Sequence, residues 1–159
     1  MKTMDVRNIV DGSTGEAWVD GEKWAEIKKC NAKVEIKKDE VPIPGTNRTG
    51  HKSGSWTGKG SMTVHHVSSR VLKKLAVGVR NGENPVMTIY SKVSNAKGAE
   101  RVILRYVTFD DLTLIDWTTG EMTERELPFT FEDYDITDTI DDGISVGVNI
   151  NGVAGSLTV

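Results

Sequence analysis

Three histidines, one cysteine and a crowd of carboxylates are the side chains of this 159-residue chain that could do chemistry. Metal binding or nucleophilic catalysis needs such groups to converge. His65 and His66 are neighbours in a stretch that reads as a strand end, so they point to opposite faces and cannot grip one ion together. No Cys/His cluster, HExxH motif or Gly-x-Ser-x-Gly elbow accompanies them. Cys30 has no partner for an internal disulfide and is predicted to be a small buried apolar residue rather than a reactive thiol. His51 lies in GTNRTGHKS, Gly45 to Ser53, where it displaces by one place the lysine that a phosphate-binding Gly-xxxx-Gly-Lys-Ser/Thr loop requires. That segment also leads into a strand and not into a helix N-terminus, so phosphate binding is rejected. The acidic stretch FEDYDITDTIDDG holds Glu132, Asp133, Asp135, Asp138, Asp141 and Asp142 without the spacing of an EF-hand, and reads as a solvated acidic surface. No two carboxylates stand out as an acid/base pair for glycoside hydrolysis. The expectation is a protein that is not an enzyme, with no catalytic residue, no metal and no cofactor.

A rival reading is a small barrel that binds nucleic acid. SWTGKGSMTVHHV mixes Trp56, Lys59, glycines and His65 on one strand, as base-stacking strands do. Against it stand a net charge of -3, only 6% aromatic residues and basic residues scattered over several segments.

The elements that would position these groups are mostly strands. Glu16 to Asp20 is a short strand ended by Asp20-Gly21, a dipeptide suited to a tight hairpin. A return strand runs from Glu22 to about Val41. Its apolar residues switch parity between Ile27 and Cys30, which predicts a bulge near Lys28-Lys29. Val41 to Gly54, VPIPGTNRTGHKSG, reads as a long loop because of its prolines and glycines, and loops of that length are usually functional. A strand follows from Ser55 to Val67. One helix, about residues 68–80, starts at Ser68 or Ser69, places Val71, Leu72, Leu75, Ala76 and Val79 on one face and stops at Asn81-Gly82. Strands resume over Val86–Val93, over Arg101–Trp117 with a bend at Asp110-Asp111, and over Met122–Tyr134. Pro128 inside the last of these predicts an edge or a bulge. Ile144 to Val159 alternates like a strand. Trp18, Trp24, Trp56, Trp117, Phe129 and Phe131 are assigned to the core. The fold class is all-β, a barrel or sandwich of antiparallel strands with one flanking helix.

Charge is divided along the chain. Residues 1–80 carry 15 Lys/Arg and 9 Asp/Glu, whereas residues 81–159 carry 5 and 14. Such a division suits head-to-tail contact between identical copies. No apolar run approaches the ~20 residues that cross a bilayer, and no secretory signal is evident at the N-terminus.

Four spans together carry a family resemblance: DGSTGEAWVDGEKWAEIKKCNAKVEI, WTGKGSMTVHHVSSRV, GAERVILRYVTFDDLTLIDWTTGE and ELPFTFEDYD. In this order they resemble the tail tube protein of contractile-tailed phages. The nearest group is that of PBSX-like defective prophages and the related R-type bacteriocins, and the type VI secretion tube protein is a more distant relation. The resemblance runs from about Met4 to Asp142. It implies a tail-tube-like domain over residues 1–143 with an irregular N-terminal arm over 1–15, and leaves 144–159 as a C-terminal extension. It also implies hexameric rings stacked into a hollow tube inside a contractile sheath. The expected partners are further copies of the chain, the sheath, baseplate and tail terminator proteins, with DNA only as transiting cargo. The expected location is a virion tail or phage-tail-like particle, after synthesis in the bacterial host cytoplasm. Contacts between subunits are assigned to Pro42, Pro44, Asn47, Arg48, His51 and Lys52 in the long loop and to Arg7 and Asn8 in the arm. Glu132, Asp133, Asp135 and Asp138 are assigned to an acidic lumen or surface.

Overall fold

The computed structural model describes residues 4–140. The strand-like alternation of Ile144–Val159 lies outside them. Two short 3-10 turns, Val6–Asn8 and Gly12–Thr14, precede eight strands and one helix. The strands are β1 (Glu16–Val19), β2 (Glu22–Lys23), β3 (Ile27–Pro42), β4 (Thr49–His65), β5 (Met87–Asn95), β6 (Gly98–Phe109), β7 (Glu124–Phe131) and β8 (Asp133–Asp138). Helix α1 covers Arg70–Arg80.

All strand pairs are antiparallel, in the order β2-β1-β5-β6-β7-β4-β3, with β8 also on β6. β6 joins the two halves of this arrangement. One of its edges pairs with β5, and the other pairs first with β8 (Arg101 to Arg105) and then with β7 (Thr108 and Phe109). The change of partner coincides with a bulge: Met87 faces Val107 but Ile89 faces Leu104, so β6 carries one residue more than β5. Tyr106 takes up the extra length in the left-handed region, at φ 53°. The sheet thereby folds on itself into a sandwich. Val19, Ile89, Leu104 and Val107 close on Met62, Leu127 and Phe129, with Leu75 of α1 packed onto the same core.

Local rules account for most boundaries. Asp20 (φ 49°) and Gly21 (φ 80°) form the two-residue turn between Val19 and Glu22, both with positive φ as a tight hairpin needs. The predicted bulge near Lys28-Lys29 is present as a register shift between Ile27 and Lys29. The helix begins after Ser69, though the serine side chain makes no capping bond, and ends before Gly82 at φ 80°. Pro128 stands where the β6–β7 ladder stops. Its carbonyl accepts from the Asp110 N–H, so its missing N–H faces the side on which no further pairing is required.

Several expectations are corrected. Val41–Gly54 is not a long loop. The β3–β4 ladder continues from Ile36–Trp56, across a register shift, to Pro42–Thr49, leaving only Ile43–Arg48 as the turn. Both faces of this outer ladder are wet, so no apolar alternation betrays it, and Gly45 supplies the positive φ (78°) that the turn needs. The strand expected over Glu22–Val41 is interrupted at Trp24, whose ring is buried. The strand expected over Arg101–Trp117 ends at Phe109, and residues 111–117 run irregularly, held by a bond from Arg125 Nη1 to the Thr113 carbonyl. The stretch Met122–Tyr134 divides into β7 and β8. Trp24, Phe129 and Phe131 are core residues as expected, but Trp56 is 41% exposed and Trp117 72%. Trp18 is half-buried against Tyr90. Cys30 is exposed over the residue as a whole, not buried as expected, although its thiol is turned toward the protein.

Gly58 and Gly60 make the closest packing in the sandwich. Each lies directly opposite an aromatic residue of β7, Gly58 against Phe131 and Gly60 against Phe129. A Cβ at either position would enter the facing ring, and one at Gly60 would also strike the Asn31 carbonyl. Gly60→Ala is therefore expected to destabilise the fold by about 2 kcal/mol through overpacking. Gly54→Ala, whose Cβ would meet nothing closer than 3.7 Å, is expected to stay near wild type. Urea midpoints decide: equal midpoints for the two variants would contradict the packing described.

Candidate assembly interface

The feature that the body of the fold does not account for is the outer part of the β3–β4 hairpin. β4 pairs with β7 only from Gly58 to His65, and beyond that point β3 and β4 have only each other. At ~3.3 Å per residue the unsupported ladder projects about 25 Å. Two strands alone are marginal in water.

Its two faces differ. Cross-strand partners Cys30–Met62, Ala32–Gly60, Val34–Gly58 and Ile36–Trp56 continue the core face outward. There Ile36 is 57% exposed, and Trp56 leans edge-on against Tyr134 of β8 at 5.6 Å between ring centres. The other face carries Lys33, Glu35 and Lys59, linked by ion pairs of 3.0 and 3.6 Å to Glu35. Trp56 and Lys59 therefore lie on opposite faces, and the constellation expected of a base-stacking strand does not assemble. Over Ile27–His65 the hairpin has eight Lys/Arg and three Asp/Glu.

The residues assigned to contacts fall into two groups. Pro42 ends β3, Pro44, Asn47 and Arg48 form the turn, and His51 and Lys52 stand opposite Glu40 and Asp39. All are exposed at the hairpin tip. Arg7 and Asn8 are elsewhere. Arg7 is clamped to Asp5 at 2.9 Å, and the Asn8 carbonyl accepts from Asn95 Nδ2 at the β5–β6 turn. The arm is less irregular than expected, since Thr14 Oγ1 also donates to the Ser94 carbonyl.

The acidic residues are similarly sorted. Glu132 links β7 to β8, and Asp133, Asp135 and Asp138 lie on β8 beside β6. Asp135 pairs with Arg105 and Asp138 with Arg101, so this stretch is partly neutralised. Residues of the two charge-divided halves also meet within the body, where Lys28 bonds Glu124 at 2.7 Å with His65 at 3.6 Å. Among the described residues no group of three His, Cys, Asp or Glu side chains converges as a metal site. Burial of the thiol pushes the Cys30 pKa up, which leaves little thiolate despite the exposure of the residue. No described helix is long and apolar enough to cross a membrane.

Residues 2–138 match the family described as phage tail tube protein. The chain belongs to the phage tail tube protein family. It is 35% identical to the phage-like element PBSX protein XkdM of Bacillus subtilis over 143 residues, 87% of this chain and 97% of that protein. It is also 35% identical to the uncharacterised protein YqbM of the same organism over 141 residues, 86% of this chain and 96% of that one. Among solved structures, the tube-terminating cap of the anti-feeding prophage superposes with a TM-score of 0.67 at 10% identity, over 87% of this chain and 97% of that one. A chain of the sheath–tube complex of an extracellular contractile injection system gives 0.66 at 11% identity, over 84% and 95%. At such identities these likenesses concern the fold, which is the all-β tail-tube-like fold expected from the sequence. The tail tube sandwich of this chain thus carries a partly apolar, predominantly basic hairpin.

The signal that sequence reading passed over is the pair Gly-x-Gly and Phe-x-Phe, Gly58/Gly60 and Phe129/Phe131, which sets strand register. The Lys28–Glu124–His65 cluster had no local signal, since 96 positions separate Lys28 from Glu124.

Glu124 is held below its ordinary value of 4.5 first by the Lys28 hydrogen bond, and Glu35 first by that of Lys33. A lowered folded-state pKa gives stability that is complete above pH 4.5 and lost as pH falls through the lowered values. Both groups are exposed, so the effect is small and screened by salt. Lys28→Met is expected to move the Glu124 titration, followed by NMR, upward toward 4.5. An unmoved titration would contradict Lys28 as the cause.

Proposed function

We propose that this protein is the structural subunit of the inner tube of a contractile phage tail or a phage-tail-like particle. Hexameric rings of it stack into a hollow tube that conducts DNA or perforates a target envelope. Its role is mechanical and not catalytic. Its partners are further copies of itself, the surrounding sheath, and the baseplate and terminator at the tube ends. It works in the tail of a particle assembled inside the bacterial host.

The observation that carries this reading is the family match over residues 2–138. Shape supports it: fold neighbours come from a tube-terminating cap and a sheath–tube complex. Physics supports it too. A closed ring and an open stack are both heterologous contacts, each needing two different complementary patches on one subunit. The unsupported hairpin, apolar on one face and charged on the other, is such a patch. It gains order when a neighbour covers Val34, Ile36 and Trp56.

Negative-stain microscopy over a concentration and salt series tests the reading. The expected result is rings or tubes of uniform width from wild-type protein, and none from Trp56→Asp, which keeps its circular dichroism spectrum because that side chain is partly exposed. Wild-type protein that stays monomeric at millimolar concentration, with and without a nucleating tail end, would overturn the proposal.

A further inference from the structure

A cleft of about 280 Å³ opens between the C-terminal end of α1 and the start of the β6–β7 connection. Its apolar lining comes from Leu75 and Phe109, both buried, with Leu112 and Val79 beside them. Its charged side chains are all acidic, Glu83, Asp110 and Asp111, and the neutral Asn84 is exposed beside them. Asp110 accepts a bond from Thr130 Oγ1, whereas Glu83 and Asp111 enter no salt bridge among the described residues. Val79 is 51% exposed, an apolar wall left open to water. The cleft lies at or below the size of ordinary small-molecule sites, ~300–1,000 Å³, and no polar side chain converges in its buried part. It is a socket for an apolar side chain with cations around it.

The tip of the β3–β4 hairpin has that chemistry. Ile43 (42% exposed) stands at the turn with Val41 beside it. Residues 41–53 contain Arg48, His51 and Lys52 and no acidic residue. Neither Arg48 nor Lys52 enters a salt bridge among the described residues. The hairpin cannot serve its own socket, because the ladder runs outward past the last β4–β7 pair at Gly58 and its turn is held by its own backbone bonds, Ile43 N–H to the Arg48 carbonyl and Thr46 N–H to the Ile43 carbonyl.

We propose that the hairpin tip of one copy of this chain seats in the α1/β6–β7 socket of a second copy, with Ile43 in the apolar cleft and Arg48 and Lys52 facing Glu83 and Asp111. The contact is head-to-tail, with tip and socket on different faces of one subunit, so it propagates along an array without using up either partner. It rests on the tube reading and gives that reading a specific pair of surfaces. The division of charge along the sequence acquires a spatial meaning: the basic first half supplies the tip, and the acidic second half supplies most of the socket rim.

Cysteine pairing tests the seat. In a Cys30→Ser background, Ile43→Cys and Val79→Cys are made as separate proteins, assembled singly and mixed, and oxidised mildly. The mixture is expected to give a disulfide-linked dimer on a non-reducing gel, and neither protein alone should. A chain with both substitutions should give a ladder. Particles visible by microscopy without the mixed dimer overturn the socket and leave the tube reading standing. A dimer from Ile43→Cys alone points to tip-to-tip contact and also overturns it. Charge reversal gives a second readout. Arg48→Glu with Lys52→Glu, or Glu83→Lys with Asp111→Lys, should raise the concentration at which assembly begins about tenfold, and all four together should restore it. Reversals that change nothing, or that never rescue one another, contradict the pairing. Wild-type protein that never assembles defeats the tube reading, and the socket with it.

Discussion

Two aromatic rings resting on two glycines hold this structure in register. Phe129 and Phe131 of β7 lie on Gly58 and Gly60 of β4, so close that no other residue fits there. The contact fixes which residues of β4 face the core and therefore which face of the hairpin continues the core outward. A slip of one residue would turn Met62 and Val64 to solvent and bring Lys59, Ser61 and Thr63 inside. It also divides β4 into an inner part anchored in the sandwich and an outer part whose only strand partner is β3.

That division explains how a small domain can present a long projection. The inner ladder holds the direction, and two register shifts, with the extra residue on β3 near Lys28 and on β4 near Ser55, bend and twist it locally. The outer ladder carries the charge. On the proposed function, a subunit that joins copies of itself needs surfaces that are incomplete alone but not aggregation-prone. The ion pairs of Lys33, Glu35 and Lys59 keep one hairpin face soluble, while the apolar strip on the other stays narrow. In the sandwich, a single bulge at Tyr106 lets β6 serve both sheets, and α1 seals one side with Val71 and Leu75.

Much of this was legible from the sequence because local rules and periodicity agree. The Asp20-Gly21 hairpin, the bulge after Ile27, the helix ending before Gly82 and the place of Pro128 follow from backbone chemistry. The hairpin tip, where Thr49–Ser53 returns against Lys38–Pro42, was not legible, for a physical reason. Strands are read from apolar alternation, and a ladder wet on both faces has none, so Pro42, Pro44 and the glycines dominate the reading. Trp117 was misplaced by the opposite error. Its segment alternates like a strand, but Pro128 ends the ladder that would have continued it, and the chain is held by Arg125 instead. Of the residues assigned to contacts, those in the loop gather at one tip, whereas Arg7 and Asn8 belong to an arm tied down beside Asn95. The ion pairs of the acidic β8 with Arg101 and Arg105 come from register across 30 or more positions and had no local signal.

On the proposed function, the outer hairpin is completed by a neighbouring copy and not by its own body. Amide hydrogen exchange over residues 36–57, in dispersed and in assembled protein, measures this directly. Fast exchange is expected there in the dispersed subunit, beside slow exchange at Met62 and Leu127, and strong protection on assembly. Equal protection of the outer hairpin in both states would contradict it.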